Sequence, residues 1–411
     1  MIPIYPANDF SPLQQNAPLQ GGATRIGLLH PPPLALYIHI PWCVRKCPYC
    51  DFNSHEIKHG QPKQEIPEQQ YVDALIADLE QATPLVWGRK IKSIFFGGGT
   101  PSLFSAAAID RILSQVRALT PLEYNAEITL EANPGTVDIA HFKGYREAGI
   151  NRISLGIQSF NDGYLEKLGR IHDQRQALQA AQFALENFDA VNLDLMYALP
   201  GQSLEDALQD AKAACALKPA HLSFYHLTIE PNTAFDRNPP QVPNDDASSE
   251  MQEKIEDTLA ANGYENYETS AFAQAGKQCQ HNLNYWTFGD YLGIGAGAHS
   301  KLSFHDKIIR QSRHKHPKRY MENAVKGLSI DQEWQITQKD LSFEFMMNAM
   351  RLTDGVPVDL FQQRTGLPLI TLQRAIKKAE EKGLLNISNG RMQPTLLGKR
   401  FLNDLLTIFL D

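Results

Sequence analysis

Arg152-Ile153-Ser154-Leu155-Gly156-Ile157-Gln158 is a run of strand length whose two faces separate cleanly. Ile153, Leu155 and Ile157 share one face, and Ser154, Gly156 and Gln158 share the other. Further runs of the same length stand at 34–40, 91–96, 126–131, 190–196 and 221–227, several of them rich in β-branched residues. Helical patterns fall between them, for example at 68–81, 106–119 and 173–186. Such regular alternation predicts an α/β fold: a TIM-type (βα)6 barrel, partial or full, with parallel strands. In a barrel the apolar face meets the helices and the small, polar face points inward. The 190–196 run sets Val191, Leu193 and Leu195 opposite Asn192 and Asp194, and the 126–131 run puts Glu127, Thr129 and Glu131 together. An inward Asp194 costs on the order of several kcal/mol unless it is paired or solvated. A polar ligand inside the barrel would remove that objection. The alternative is an open α/β sheet with a few satisfied buried polar groups.

Residues 1–33, rich in Pro, Gln, Gly and Asn, are expected to form a flexible N-terminal arm. The barrel core is expected over 34–245. Residues 246–336 then form a connecting region that contains His281-Asn282-Leu283-Asn284-Tyr285-Trp286 and a basic, His-rich stretch. Residues 337–411 predict a winged-helix-like domain. It has helices at 341–350, 359–364 and 370–382, a hairpin turning at Asn389-Gly390, and a last helix at 396–410. Arg374, Lys377 and Lys378 on its third helix are mixed with Glu380 and Glu381, a solvated face more than a phosphate grip.

Composition narrows the class. The 411 residues are 43% hydrophobic and 21% charged, as in ordinary globular proteins, and the net charge of −7 argues against a general nucleic-acid binder. The five cysteines are odd in number and unevenly spread, unlike a secreted disulfide framework. No basic start followed by an apolar core marks a signal peptide, and the apolar stretch at 34–40 is too short to span a bilayer. A cytoplasmic protein is expected.

Three of those cysteines stand in Cys43-Val44-Arg45-Lys46-Cys47-Pro48-Tyr49-Cys50, directly after the first strand. Three thiolates can hold a [4Fe–4S] cubane and leave one iron open, and Arg45 and Lys46 favour thiolates. Zinc with His39 or His55 as a fourth ligand is a rival reading, and a redox thiol pair is another.

On these residues the chain resembles radical S-adenosylmethionine (SAM) proteins. The cysteine loop, with Tyr49 as its aromatic, is similar to the family's cluster loop. Gly97-Gly98-Gly99-Thr100-Pro101 is similar to its glycine loop. Tyr37-Ile38-His39-Ile40-Pro41, Glu131-Ala132-Asn133-Pro134, Gly156-Ile157-Gln158-Ser159-Phe160 and Leu199-Pro200-Gly201-Gln202 resemble the coproporphyrinogen oxidase-like branch. The anaerobic coproporphyrinogen III dehydrogenases carry another cysteine two residues after the third ligand, where this chain has Phe52. The heme chaperone (HemW-type) family lacks that cysteine and carries H-N-x-x-Y-W, as residues 281–286 do. The resemblance runs from Leu34 through the C-terminal domain.

It implies a [4Fe–4S] cluster on Cys43, Cys47 and Cys50, and SAM bound by Tyr37, Tyr49, Gly98, Gly99, Thr100, Glu131, Gln158, Arg170 and Asp194. Heme would meet His281, Tyr285 and Trp286. Alone, those three also fit a satisfied polar corner with core packing. Three functions follow. The first is a heme chaperone that delivers heme to client proteins, implied to be respiratory, with peripheral contact to the membrane. The second is an oxygen-independent coproporphyrinogen III dehydrogenase that uses a 5′-deoxyadenosyl radical. The third is a heme-responsive winged-helix DNA regulator.

Overall fold

The computed structural model describes residues 27–57, 66–137 and 139–410. The expected flexible arm therefore lies mostly outside the described residues. Six strands form the predicted parallel series: β1 Leu34–Ile40, β2 Ile91–Gly98, β3 Leu122–Ala132, β4 Arg152–Gln158, β5 Ala190–Tyr197 and β6 His221–His226. Each pairs in parallel with the next. Helices Glu68–Ala82 (α1), Ala106–Leu119 (α2), Ile139–Ala148 (α3), Gln174–Asn187 (α4) and Leu204–Ala216 (α5) return the chain between them. The helix starts are written locally. Ser105 caps α2, Asp173 with Gln176 forms a capping box on α4, and Ser203 with Asp206 does so on α5.

The strand faces sort as their alternation predicts. Ile153, Leu155, Ile157, Leu193 and Leu195 are fully buried in the core between sheet and helices. A rim helix, Asp162–Lys167, and the turn after it carry the chain from β4 to Arg170.

Residues 246–336, expected as a connecting region, supply both edges of the sheet. β7 Glu265–Glu268 and β8 Ala271–Ala273 extend it antiparallel beyond β6. β9 Asp290–Ile294 pairs in parallel with β1, and β10 His299–Ser303, β11 Ile308–Arg313 and β12 Ile330–Gln335 continue outward. The order is β12-β11-β10-β9-β1-β2-β3-β4-β5-β6-β8-β7, twelve strands in an open series. The barrel is thus partial, with parallel pairing that runs one strand past β1.

The C-terminal segment forms helices Gln338–Ala349, Leu360–Thr365 and Gln373–Glu381, then a hairpin of Leu385–Ser388 with Arg391–Pro394. The expected single last helix is instead two, Leu396–Arg400 and Leu402–Thr407, broken at Phe401. Their core of Phe345, Met346, Phe361 and Leu405 is shared with Tyr285, Trp286 and Phe288. On the third helix, Lys377 pairs with Glu381 at 3.8 Å on the exposed side. Among the described residues no helix is long and apolar enough to cross a membrane.

Candidate functional site

An open cleft of about 780 Å³, solvent at its mouth included, lies at the C-terminal ends of β1 to β5. That is where a barrel presents its ligand-binding loops. Cys43, Cys47 and Cys50 line it, together with Tyr49, Gly98, Gly99, Thr100, Glu131, Gln158, Arg170 and Asp194. The structure therefore gathers residues spread over 152 positions of sequence into one wall.

The three thiols are free. Thr100 donates to Cys43 Sγ at 3.5 Å, Arg170 Nη1 donates to Cys47 Sγ at 3.5 Å, and Ser54 Oγ lies 3.7 Å from Cys50 Sγ. Burial pushes the Cys43 thiol up to about 11, against the pull of Thr100, and it raises Cys50 too. Such sulfurs are neutral until a cation displaces their protons, as iron does on binding. Three sulfurs on one short loop, each beside a hydroxyl or guanidinium donor, fit a three-thiolate cluster. For the zinc alternative, neither His39 nor His55 lines the cleft with the three thiols. His39 is 2% exposed, and both its ring nitrogens are engaged, Nδ1 with Tyr37 Oη (2.8 Å) and Nε2 with the Asn53 carbonyl (2.9 Å). His55 packs edge-on against His316.

The glycine loop is stapled beside the cysteine loop. Gly99 N donates to the Ile40 carbonyl and Thr100 N to the Trp42 carbonyl, both at 2.7 Å. Gly98 holds φ at +112°, a conformation that excludes a side chain at little cost only for glycine. Gln158 also has positive φ (+68°), at a register shift between β4 and β5. That shift turns its amide into the cleft, where Oε1 is buried without a partner among the described residues. Strain of this kind in a non-glycine residue is typical of ligand clamps.

Asp194 accepts from Ser154 Oγ (2.7 Å) and Asn192 Nδ2 (2.9 Å), the pairing that an inward carboxylate requires. Among the described residues Glu131 accepts only from the Gly98 amide, at 3.3 Å. Burial, and then the charge of Asp194, push its carboxyl up to about 7. The unfolded chain ionises Glu131 near 4.5, so the folded state holds the extra proton between pH 4.5 and 7. Its contribution to stability therefore falls as pH rises through that window. Glu131→Gln is expected to flatten this slope and to raise stability at pH 8 by on the order of 2 kcal/mol. Urea unfolding at pH 5 and pH 8 reads it, and an unchanged slope would reject the assignment.

Tyr37 differs from expectation. It is 5% exposed and lies beneath Gly97, its ring against Phe95 and its hydroxyl committed to His39. It supports the glycine loop from below and is not part of the cleft wall. Sequence reading also passed over Ser54 and Asn133, which do line the cleft.

The candidate heme residues lie on Gln280–Trp286 (α6), inside the barrel and against the C-terminal core. Glu127 caps this helix, accepting from Gln280 N and His281 N, and it takes His281 Nδ1 at 2.8 Å. Burial alone would raise the Glu127 carboxyl, but the His281 hydrogen bond and the charge of Arg152 bring it down to about 2. His281 stacks on Phe95 at 4.4 Å and is 5% exposed. Tyr285 meets Tyr291 edge-on, and the Arg351 guanidinium covers the Trp286 ring at 4.3 Å. These side chains are therefore buried together, with His281 and Trp286 facing an inner cavity.

A partial barrel with a three-cysteine loop beside a glycine loop defines the radical SAM class. The Radical SAM superfamily model matches residues 37–214, and the HemN C-terminal domain model matches residues 336–401. Within that class the chain belongs to the heme chaperone HemW family. It is 50% identical over 385 residues to the heme chaperone HemW of Haemophilus influenzae, covering 92% of this chain and 98% of the relative. To HemW of Escherichia coli it is 49% identical over 384 residues, at the same coverage. Among solved structures it is similar to E. coli coproporphyrinogen III oxidase HemN, a radical SAM enzyme. That match has a TM-score of 0.77 at 23% identity and covers 92% of this chain and 90% of that one. At that identity the likeness speaks for the fold. Family membership implies a [4Fe–4S] cluster and SAM.

Proposed function

We propose that this protein is a heme chaperone of the radical SAM type, which binds heme and passes it to client proteins, respiratory heme proteins first among them. The observation that carries this reading is the cleft itself. Three free thiols, a glycine loop and the polar residues Glu131, Gln158, Arg170 and Asp194 share one opening, and Phe52 lines it at the position that distinguishes the chaperones from the dehydrogenases. Cys43, Cys47 and Cys50 would hold the cluster, and an open iron there supplies a site for the amino and carboxylate groups of SAM. Gly98, Gly99 and Thr100 offer backbone groups at close approach. Arg170 offers a fixed cation, with Nη2 anchored on the Gly156 carbonyl at 2.8 Å. Gln158 and Asp194 supply further polar contacts at the inner end, Tyr49 packs behind the cluster loop against Phe235, and Tyr37 holds the glycine loop from below.

For heme, the reading assigns His281 as the iron ligand. Glu127 accepts a hydrogen bond from Nδ1 and leaves Nε2 as the donor atom, as second-shell carboxylates do for metal-bound histidines. Tyr285 and Trp286 would flank the ring. Because all three are buried, heme entry requires α6 and the C-terminal helices to part. The test is heme titration of the anaerobically reconstituted protein, followed by absorption, with a coproporphyrinogen III turnover assay beside it. Stoichiometric heme binding without turnover is expected, with affinity at least roughly tenfold weaker in His281→Ala. Formation of protoporphyrinogen without stable heme binding would make the protein a dehydrogenase and defeat this reading.

A further inference from the structure

Behind the cleft lies a second, smaller space of about 460 Å³, open solvent at its mouth included. It shares Glu131, Ser154 and Asp194 with the cleft as common walls. Its far side is made by Arg152, His221, Cys279, His281 and Glu268.

Almost every charged or titratable group facing this space has a partner. Asp194 is held by Ser154 and Asn192, and Glu268 by Arg351 at 3.4 Å. Glu131 accepts from the Gly98 amide. His221 uses both ring nitrogens, on Asn192 Oδ1 (2.7 Å) and Tyr267 Oη (2.9 Å). His281 is tied to Glu127, and the Cys279 sulfur lies 3.6 Å from the His281 ring nitrogens. The exception is Arg152. It is 3% exposed, and only Nη1 is engaged, weakly, with Glu127 Oε2 at 3.4 Å and the Lys277 carbonyl at 3.5 Å. Nε and Nη2 are buried with no partner among the described residues.

Those two atoms form one edge of the guanidinium, the edge whose parallel N–H groups match the two oxygens of a carboxylate. A buried cation with an unfilled fork is unfavourable unless something fills it. The carboxylates nearby are occupied by other donors, so the unmet need is for an anion from outside the chain. We propose that this inner cavity is a second ligand site, distinct from the cleft, which takes a carboxylate-bearing molecule on the Nε/Nη2 edge of Arg152. The chemistry has two sources, a free small organic acid or the propionate of the heme that His281 would hold on the same cavity. It goes beyond the heme reading, because the fork lies in the barrel whether or not heme is carried.

The test uses the full-length, cluster-reconstituted protein with SAM present. Sodium acetate, malonate, succinate and glutarate are titrated while thermal unfolding is followed, against acetamide and against sodium chloride at matched ionic strength. Hemin and hemin dimethyl ester are titrated in parallel by absorption. If the ligand is a free acid, at least one acid raises Tm with concentration while both controls do not. Arg152→Lys, which keeps the charge but loses the fork, then shifts the required concentration up by roughly tenfold or more. If the ligand is a heme propionate, Arg152→Lys weakens hemin binding to a similar degree and leaves the dimethyl ester unchanged. Arg152→Gln repeats either comparison without the charge. Acid and hemin responses that match their controls, or that are the same in Arg152→Lys as in the unaltered protein, overturn the site. Heme binding that survives those results leaves the chaperone reading standing on its own.

Discussion

Cys47→Ala protein, reconstituted anaerobically with iron and sulfide, is expected to hold less than about a tenth of the iron of the unaltered protein, because a cluster site that loses one of three thiolates loses its geometry as well as a bond. The sulfur-to-iron absorption in the visible should vanish with the iron. No other cysteine can substitute. Cys215 is buried on α5 against the hydrophobic core, and Cys279 lies beside His281 in the inner cavity. Cys215→Ala should accordingly keep its full iron content, which separates ligand loss from general destabilisation. The loop also gives the assembly a pH dependence. Burial holds Cys43 up at about 11 and raises Cys50, so protons leave as iron binds. Cluster assembly is therefore expected to be more complete at pH 8.5 than at pH 6.5. Iron retained in Cys47→Ala would show that the thiols on this loop do not carry the cluster, and assembly indifferent to pH would show that their protonation does not limit it.

Much of this architecture is written in two-residue periodicity. The split of β4 into Ile153, Leu155 and Ile157 against Ser154, Gly156 and Gln158 gives both the helix-facing core and the cleft wall. Glu131 and Asp194 reach the cleft by the same rule. Arg152 opens that polar face two residues before Ser154, so its side of the sheet was legible, but alternation does not show that a basic side chain there ends with an edge unpartnered. What the pattern could not give is pairing across long separations. β9 joins β1 in parallel, Leu34 opposite Asp290, and nothing local in Asp290–Ile294 names so distant a partner. The segment therefore read as a connection while it builds an edge of the barrel. Local breaks escaped too. Phe401 adopts φ −111° and ψ 48°, which ends one short helix and starts another where the apolar spacing continues unbroken. Tyr37 had the right face and still missed the cleft, because its hydroxyl is taken by His39 on the same face of β1. Alternation reports the side of a sheet, and the depth at which a side chain ends depends on partners that the pattern does not show.

The glycine loop allows a test that leaves all cofactor-touching side chains intact. A Cβ placed on Gly99 would sit 2.5 Å from the Trp42 carbonyl oxygen and 2.9 Å from that of Ile40. Both are backbone atoms, and both already accept hydrogen bonds from this loop, Ile40 from Gly99 N and Trp42 from Thr100 N. At Gly98 a Cβ would meet the pinned His39 ring and also strain a φ of +112°, two effects at once, so Gly99 isolates the close backbone approach. In Gly99→Ala either the glycine loop or the chain entering the cysteine loop must move. Overpacking of this kind costs on the order of 1–3 kcal/mol. Where the displaced backbone is the binding surface, that loss appears as affinity, a decrease of roughly ten- to a hundredfold for SAM. Equilibrium binding of SAM to the reconstituted protein measures it, with thermal unfolding and iron content recorded on the same samples. Gly27→Ala, which meets nothing within 4 Å, should change none of the three. Full SAM affinity in a folded, iron-loaded Gly99→Ala protein would mean that the cofactor does not approach this loop, and the assignment of Gly98, Gly99 and Thr100 would fall with it.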